Sequence, residues 1–362
     1  MKTRADATVL GAGLMGRMLA HALACRGMAV EVRDAGTPDA QGAAARVAAA
    51  MLAPLAESAV TEMPVVRMGV HGLQRWPEIL QTLPEPVFFQ REGTIIVWHR
   101  QDAAEARRFQ ALLARTATAL HQVPGLVPAV ELDAAGLEAM EPGLGARFPR
   151  GLHLPGEGQL DNRALLQALL HSLEDRAGVQ LLWEHPTEPS ALPDDGRWVF
   201  DCRGLGAKAQ WPGLRGVRGE VVRLHAPGVQ LRRPTRLIHP RHPIYIAPKP
   251  DHMFVIGATE IETEDVSPAT VRSTLELLSA AYTVDPAFGE ARIVEISTQA
   301  RPTLPDNLPL MEVMAPRRLR INGLYRHGFL IAPALLDAAL QWMDHGVSSL
   351  AASLGLRFQH HT

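Results

Sequence analysis

Cysteine is scarce in this chain of 362 residues, which contains only Cys25 and Cys202. Two cysteines cannot build the disulfide framework of a small secreted protein, and neither has neighbours at the spacing of metal ligands. We expect both thiols to be buried, Cys25 on a helix and Cys202 at the end of an apolar strand. The low cysteine content favours a cytoplasmic location, and the sequence predicts no metal site.

An excess of either charge is also missing. The chain has 36 lysines and arginines against 38 aspartates and glutamates, so its formal net charge at pH 7 is -2. This balance gives no electrostatic reason to expect nucleic acid or an anionic membrane as a partner. The dense basic run Arg317, Arg318 and Arg320 is expected to lie in a solvated turn.

Long hydrophobic runs are absent, so the sequence predicts no membrane-spanning helix. The apolar stretch near the N-terminus is interrupted by glycines and by Arg17. We therefore expect this stretch to form the first strand and helix of the fold, and not a secretion signal. Hydrophobic residues make up 47% of the chain and charged residues 20%, which is a globular composition, and the length allows two domains.

Several catalytic signatures are missing as well. The chain has no G-x-S-x-G nucleophile elbow, no H-E-x-x-H zinc motif, no paired C-x-x-C and no Walker loop. The sequence therefore gives no support to the hydrolases, zinc enzymes and nucleoside triphosphatases that these motifs mark.

A glycine fingerprint, VLGAGLMG, is present at residues 9–16. Gly11 allows a tight turn, Gly13 lets the backbone approach a pyrophosphate, and Gly16 lets the following helix pack close to the strand. A second predicted strand ends in Asp34, where an acidic side chain accepts hydrogen bonds from a ribose. Strand, loop, helix, strand and acid together predict a dinucleotide site. The spacing alone leaves NAD and FAD equally open.

The remaining pattern predicts two kinds of domain. Helices are predicted at 42–53, 54–76 with a break at Pro64, 103–120, 162–176 with Asp161 as its cap, 268–282 and 333–345. Strands are predicted within 88–98 and at 198–202, 218–224, 244–247, 253–257, 293–299 and 320–323, while 151–160 is a segment punctuated by glycine and proline. The N-terminal part is typical of a parallel sheet and the middle of an antiparallel one, which favours two domains.

Eight short stretches occur in an order that points to a known family. They are AAAMLAPLAE (48–57), EGTIIV (92–97), LHLPGEGQLDNRALLQAL (152–169), VFDCRGLGA (199–207), VRGEVV (217–222), IYIAPKPDHMFVIGATE (244–260), ARPTLPDNLPLM (300–311) and NGLYRHGFLIAPALLDAAL (322–340). In this order they resemble the FAD-dependent D-amino-acid-oxidase-like family, and within it the glycine oxidases of the thiamin-thiazole pathway. The resemblance covers nearly the whole chain.

The resemblance implies an α/β fold with FAD as the cofactor. A Rossmann-like FAD-binding domain would comprise residues 1–86, 151–216 and 299–362, and a substrate domain with a mainly antiparallel sheet would comprise 87–150 and 217–298. Cys202 does not align with a position of covalent flavin attachment, so the FAD is expected to be non-covalent.

The resemblance also implies roles for individual residues. Arg301 and Arg326 match the arginines at the substrate carboxylate, a pairing that the planar guanidinium suits, and Tyr245 matches a tyrosine whose hydroxyl faces the same carboxylate. The backbone near the start of the last helix is expected against the flavin pyrimidine edge. The implied cofactor-binding residues are Gly11, Gly13, Leu14, Met15, Gly16, Asp34, Ala50, Met51, Leu52, Gly204, His327, Gly328, Phe329, Leu330 and Ile331.

Three positions depart from the family or vary within it. His327 stands where related sequences often carry asparagine, and Ala50 stands where they commonly carry glycine. The change at His327 concerns substrate preference more than cofactor binding, and the methyl group of Ala50 either narrows the pocket slightly or has no effect. Glu260 lies where relatives vary; it either brings a charge near the site or is simply solvent-exposed, and we expect the exposure.

The implied reaction is oxidation of a small amino acid, such as glycine, sarcosine or a small D-amino acid, to the imino acid by hydride transfer to flavin N5. Oxygen or another acceptor would reoxidise the flavin, and oxygen would give hydrogen peroxide as the product. The resemblance also implies a role for the protein in thiamin biosynthesis. The alternatives are a dehydrogenase for D-amino or secondary amino acids that passes electrons to a quinone or a protein, and a non-catalytic flavin-binding subunit. A homo-oligomer is left open.

Overall fold

A computed structural model describes residues 4–120 (only the backbone of 116–120), 123–240 and 243–361 of the chain. Within these ranges the chain forms ten α-helices, α1 Leu14–Cys25, α2 Ala44–Val47, α3 Pro54–Glu57, α4 Met63–Gln81, α5 Ala103–Leu120, α6 Ala134–Met140, α7 Asn162–Glu174, α8 Val271–Val284, α9 Gly328–His345 and α10 Ser349–Leu354. Short 3-10 helices occupy Arg100–Asp102, Pro189–Ala191, Gly204–Gln210, Pro286–Glu290 and Tyr325–His327.

The strands of the described ranges are β1 Ala7–Leu10, β2 Val30–Arg33, β3 Met51–Leu52, β4 Phe89–Gln90, β5 Thr94–Trp98, β6 Val130–Asp133, β7 Arg150–Leu154, β8 Gly158–Leu160, β9 Val179–Leu182, β10 Trp198–Asp201, β11 Arg215–His225, β12 Thr235–Ile238, β13 Ile244–Lys249, β14 Met253–Gly257, β15 Arg292–Thr303, β16 Leu310–Ala315, β17 Arg318–Asn322 and β18 Arg357–His360.

The first sheet has seven strands in the order β18-β16-β17-β10-β1-β2-β9. Its centre is parallel, because β1 pairs in parallel with β10 and β2, and β2 with β9. Helices α1, α4, α7 and α9 contribute buried residues to the core of this layer. An apolar strand alternating with a helix is the pattern that builds a parallel sheet, and the predicted Rossmann-like part is confirmed.

The second sheet has eight strands in the order β15-β11-β14-β13-β12-β5-β7-β6. Its neighbours are antiparallel except β12 and β5, which pair in parallel. A small third sheet contains β3, β8 and β4. The prediction of a mainly antiparallel sheet is confirmed. The division of domains by residue range stays a prediction, and β7 crosses the boundary drawn at residue 151.

The glycine-rich turn between β1 and α1 is packed too tightly for a side chain at two of its glycines. A Cβ at Gly16 would lie 1.8 Å from the carbonyl oxygen of Gly11, and one at Gly11 would lie 2.7 Å from the backbone that follows β10. The buried Arg17 guanidinium donates hydrogen bonds to the carbonyls of Ala12 and Leu166, each at 2.7 Å. These contacts fix the turn against α7.

The predicted helix at 42–53 is wrong beyond a single turn. Only α2 forms, and the chain then extends into β3. The Asn162 side chain donates to the carbonyls of Ala45 and Arg46, each at 2.8 Å, and the buried Lys249 ammonium donates to the carbonyl of Ala49 at 2.8 Å. Distant side chains thus bind the carbonyls that a longer helix would have used, and they override the helix propensity of alanine.

The last long helix, α9, begins at Gly328 and not at Pro333 as predicted. A proline inside a helix lacks the N–H that would bond the carbonyl four residues earlier, here that of Phe329. The buried Trp76 indole of α4 donates to that carbonyl at 2.9 Å. Gly72 lets α4 approach closely, since a Cβ there would lie 2.1 Å from the carbonyl oxygen of Leu330. Helix α4 therefore completes the first turn of α9.

Several smaller sequence predictions differ from the structure. The segment 151–160 contains β7 and β8, and the break predicted at Pro64 lies at residues 58–62, with Pro64 in the first turn of α4. Arg320 is buried rather than solvated, because its guanidinium pairs with Glu312 and lies over the Trp211 ring, 4.2 Å from the centroid. Cys202 is buried as predicted, whereas Cys25 is exposed.

None of the helices in the described ranges has the combination of length and apolar composition that is needed to cross a membrane.

Replacing Gly72 with alanine separates the effect of packing from that of helix propensity. Propensity alone would stabilise a helix by roughly 1 kcal/mol, whereas the clash with the Leu330 carbonyl should lower the free energy of unfolding by about 1–3 kcal/mol. Gly136→Ala in α6 is the control, because the nearest atom to its Cβ would be in the Leu132 side chain, at 3.2 Å. Denaturant unfolding of the FAD-bound protein measures both variants, and a stabilised Gly72→Ala protein would contradict the packing argument.

Candidate functional site

A cavity of about 1580 Å³ lies where the carboxyl ends of β1, β2 and β10 face β11, β12, β13 and β15. Ligands of parallel α/β sheets bind at this end of the strands. All the predicted site residues line the cavity except Gly16, Leu52 and Ile331. Leu52 and Ile331 are fully buried in the core of the first sheet, and Gly16 packs on the turn.

One end of the cavity is formed by the glycine-rich turn. A Cβ at Gly13 would approach only the Ala43 side chain, at 3.8 Å, so the space in front of this glycine is open. Helix α1 begins there with no acidic residue in its first turn and no hydrogen bond from a side chain of the described residues to its cap. Asp34 accepts hydrogen bonds from the backbone N–H of Ala12 at 2.5 Å and of Gly36 at 2.6 Å.

The other end of the cavity meets the start of α9. His327 precedes this helix, and Gly328, Phe329 and Leu330 of its first turn line the cavity. No side chain of the described residues caps this N-terminus. Ala50 also lines the cavity and has φ +52°, in the left-handed region that favours glycine. This conformation would explain the glycine that the family resemblance implies at this position.

These residues fit FAD. An uncapped helix N-terminus behind an open glycine is a site for a pyrophosphate, and Asp34 lies on the neighbouring strand where a ribose is bound. The second uncapped N-terminus, at α9, supplies positive potential for the electron-rich edge of a flavin ring. The cavity connects the two ends.

Arg301, near the end of β15, enters the cavity with its guanidinium held by backbone alone. It donates to the carbonyls of Arg218 at 3.2 Å and Thr259 at 3.1 Å. A Cβ at Gly219 would lie 2.3 Å from its Nη2 atom, so the guanidinium lies directly over a glycine. Within the described ranges no carboxylate pairs with Arg301. It is therefore a held cation that a ligand carboxylate can neutralise.

Tyr245 lies beside Arg301 and has a similar support. Its register partner across β13 and β14 is Gly257, where a Cβ would lie 2.5 Å from the Tyr245 hydroxyl oxygen. Burial raises the pKa of this hydroxyl, although the neighbouring Arg301 and Arg236 oppose the rise. Tyr245 is therefore a neutral hydrogen-bonding group at neutral pH.

Arg326, in contrast, already has two acidic partners. Its Nη2 atom lies 3.0 Å from Glu57 and its Nη1 atom 3.3 Å from Glu260. Glu57 also pairs with Arg236 at 2.9 Å. Burial opposes ionisation of Glu57, but Arg236 and Arg326 together lower its pKa to about 2. Glu57 is thus the anion that holds two arginines in place.

Two further groups complete this end of the cavity. Burial lowers the pKa of His327 to about 4, so its imidazole is neutral at neutral pH although it lies 3.5 Å from Glu57. The Tyr325 hydroxyl donates to Glu260 at 2.5 Å. Glu260 is half exposed but not merely solvated, since its carboxylate binds both Tyr325 and Arg326.

Sequence reasoning missed Glu57, Arg236 and Tyr325. Glu57 ends the AAAMLAPLAE stretch and Tyr325 directly precedes Arg326, so both lie within the eight family-like stretches. Arg236 has no sequence signal, because only the pairing of β12 with β5 and β13 brings it to Glu57. Among the described residues, no group of three or more histidine, cysteine, aspartate or glutamate side chains is placed to hold a metal ion.

Comparison with known proteins identifies the class to which this fold and site belong. Residues 6–338 match the family model described as FAD dependent oxidoreductase, DAO. The chain belongs to this family, and its cofactor is FAD. The comparison confirms the predicted family, cofactor and enzyme class, an FAD-dependent oxidoreductase of the amino-acid-oxidase type.

The chain is also similar to individual proteins, one by sequence and two by structure. The chain is 41% identical over 328 residues to a Rhizobium etli protein named as a thiamine biosynthesis oxidoreductase, ThiO, covering 90% of this chain and 93% of that protein. Among solved structures, iminodiacetate oxidase from Chelativorans sp. BNC1 has a TM-score of 0.80 at 20% identity, covering 98% and 100% of the two chains. Glycine oxidase from Geobacillus kaustophilus has a TM-score of 0.77 at 23% identity, covering 96% of each.

The Glu57→Gln substitution tests the central anion. Removing one partner of a buried charge group leaves the arginines uncompensated, so the free energy of unfolding should fall by about 3 kcal/mol at pH 7. Glu78→Gln is the control, because Glu78 is 68% exposed and its ion-pair partner within the described chain is Arg75.

The pH dependence has a definite sign. The pKa of Glu57 falls from 4.5 to about 2 on folding, so its contribution is complete above pH 4.5 and is lost as the pH falls toward 2. The difference in unfolding free energy between wild type and Glu57→Gln should therefore be constant from pH 6 to 8. It should shrink as the pH falls below the ordinary pKa of a glutamate. An equal difference at acidic and neutral pH in urea titrations would contradict this role.

Proposed function

We propose that the protein catalyses the FAD-dependent oxidation of a small amino acid, such as glycine, sarcosine or a small D-amino acid, to the corresponding imino acid. The observation that carries this proposal is Arg301, a guanidinium held by backbone carbonyls inside the FAD cavity without a carboxylate partner from the described chain.

The substrate carboxylate binds Arg301 first. A guanidinium offers two parallel donors to a carboxylate, and such bonds are stronger where water is excluded. The Tyr245 hydroxyl donates a hydrogen bond to the same carboxylate, and Arg326, which Glu57 and Glu260 hold, offers its remaining N–H donors. These contacts orient the α-carbon toward the ring system near α9.

Bound FAD supplies the two-electron acceptor of the reaction, at flavin N5. The described chain provides no strong general base beside it, since Glu57 is committed to its arginines and Tyr245 keeps its proton. The substrate amine therefore reacts in its neutral form, and the protein contributes orientation and the positive potential of the α9 N-terminus.

FAD would be held without a covalent bond. The start of α1 would hold its pyrophosphate, Asp34 its ribose, and Ala50, Met51 and the first turn of α9 its ring system. We assign residues 1–86, 151–216 and 299–362 to the FAD-binding domain and 87–150 and 217–298 to the substrate domain, with one change. Residues 151–154 move to the substrate domain, because β7 pairs with β5 and β6.

The biological role that we favour is a step in thiamin biosynthesis in the cytoplasm, with oxygen as the acceptor and hydrogen peroxide as the product. The ThiO relative at 41% identity supports this role. The iminodiacetate and glycine oxidase structures are less than 25% identical and support the fold alone.

The substrate is tested by mixing the FAD-bound protein anaerobically with glycine, sarcosine, D-alanine and L-alanine while following flavin absorbance. We expect bleaching by at least one of the first three and none by L-alanine. Admission of air should then restore the spectrum and produce peroxide. Bleaching without reoxidation by air would favour a dehydrogenase, and no bleaching by any of the amino acids would reject the proposed function.

Replacing Arg301 with alanine should raise the substrate concentration that gives half-maximal flavin reduction by roughly tenfold to a hundredfold, because a charge-assisted carboxylate pair is lost. The FAD content, read from the absorbance ratio of the purified protein, should not change. Arg292→Ala, an exposed arginine on the same strand, is the control. Loss of FAD from the Arg301 variant would instead give this residue a structural role.

A further inference from the structure

We propose that Glu260 limits the site to substrates with a single carboxylate, and that it does so by occupying Arg326. This inference rests on the proposed function, because it concerns the substrate of the same cavity. Glu260 lies three residues after the end of β14 and lines the cavity with Arg301 and Arg326.

The contacts of Glu260 place its charge at the second arginine. One carboxylate oxygen accepts from the Tyr325 hydroxyl at 2.5 Å, and the other lies 3.3 Å from Nη1 of Arg326. The remaining side of that guanidinium faces Glu57 at 3.0 Å. Tyr325 itself has φ +51°, and its ring lies against Arg326, 5.7 Å from ring centroid to guanidinium carbon. Arg326 is therefore compensated twice before a substrate arrives.

The charges near the two tyrosine hydroxyls can be counted. The groups that act on Tyr245 and Tyr325 are the cations Arg236, Arg301 and Arg326 and the anions Glu57 and Glu260. His327 is neutral at neutral pH, because burial lowers its pKa to about 4. The neighbouring Arg218 pairs with the buried Glu220 at 2.6 Å and with the exposed Asp265 at 3.3 Å, so it adds no unpaired cation. Among the five groups that act on the two hydroxyls, one positive charge remains, and it is carried by Arg301.

An amino acid whose amine is neutral brings one negative charge, which this site balances. A second carboxylate would bring an uncompensated anion next to Glu260, and like charges in a partly desolvated site repel. Glu260 is 49% exposed on its side chain, against 12% for Glu57, so it is the anion at the mouth. Substrates that extend toward the mouth meet this carboxylate first.

The Glu260→Gln substitution removes the charge and keeps the shape, since an amide oxygen can still accept from Tyr325. The matched control is Glu262→Gln. Glu262 lies two residues further along the chain, is 66% exposed, and pairs at 3.6 Å with Arg215, outside the arginine group of the cavity.

The experiment titrates the FAD-bound protein with acetate and with malonate, which differ by one carboxylate, and follows the perturbation of the flavin spectrum. Sarcosine and iminodiacetate, which differ in the same way, serve as the substrate pair for kcat/KM. In the wild type, malonate should bind more weakly than acetate, and iminodiacetate should have a lower kcat/KM than sarcosine. In Glu260→Gln the malonate to acetate ratio of Kd should fall by roughly tenfold or more, with a parallel rise of the iminodiacetate to sarcosine ratio of kcat/KM.

Glu262→Gln should leave both ratios at the wild-type values. Equal malonate and acetate affinity in the wild type, an equal shift of both ligands in Glu260→Gln, or the same shift in Glu262→Gln would overturn the proposal. Glu260→Ala provides a second variant with the same expected direction. The ligand titrations need no turnover. A protein that oxidises no amine would therefore reject the proposed function, while its malonate to acetate ratio would still test the role of Glu260.

Discussion

The site depends on one contact, the hydrogen bond from the Trp76 indole to the Phe329 carbonyl. Pro333 leaves that carbonyl without its helical donor, and α4 supplies the replacement. The contact fixes the first turn of α9, and the chain that enters this turn carries Tyr325, Arg326 and His327. A shift of α4 would therefore move the helix N-terminus and three side chains of the cavity together.

The charges of the cavity are arranged around a buried anion. Glu57 stays ionised because two arginines face it, and each arginine remains in place because Glu57 faces it. Such a group is costly to bury and costly to break, and it contributes little net stability for its size. What it provides is geometry, since it fixes Arg326 and leaves Arg301 as the cation without an acidic partner among the described residues.

Local sequence signals are sufficient to predict part of the molecule. The glycines at 11, 13 and 16, the helix that follows and the acid at the end of β2 lie within about one βαβ unit, and their spacing carries the information. Short apolar runs that follow one another along the middle of the chain predict the antiparallel strands of the second sheet. The resemblance of eight ordered stretches adds the cofactor, which spacing alone leaves open between NAD and FAD.

The sequence predictions are wrong or incomplete where contacts with residues distant in the chain determine the structure. The alanine-rich segment 42–53 stops being helical because Asn162 and Lys249 bind its carbonyls. The start of α9 lies before Pro333 because Trp76 replaces a missing donor. Arg236 reaches Glu57 only through strand order. None of these contacts leaves a periodic trace in the sequence.

The supports of Arg301 and Tyr245 have an evolutionary consequence. Each side chain lies across a glycine of an adjacent strand, Gly219 and Gly257 respectively, so the floor under the substrate is bare backbone. A larger residue at either glycine would displace the side chain that packs on it. Arg301 and Gly219 therefore form one coupled pair, and Tyr245 and Gly257 form another. Substitution of one residue of a pair removes that pair's contact with the carboxylate, so the contact is kept in evolution only where both residues are kept.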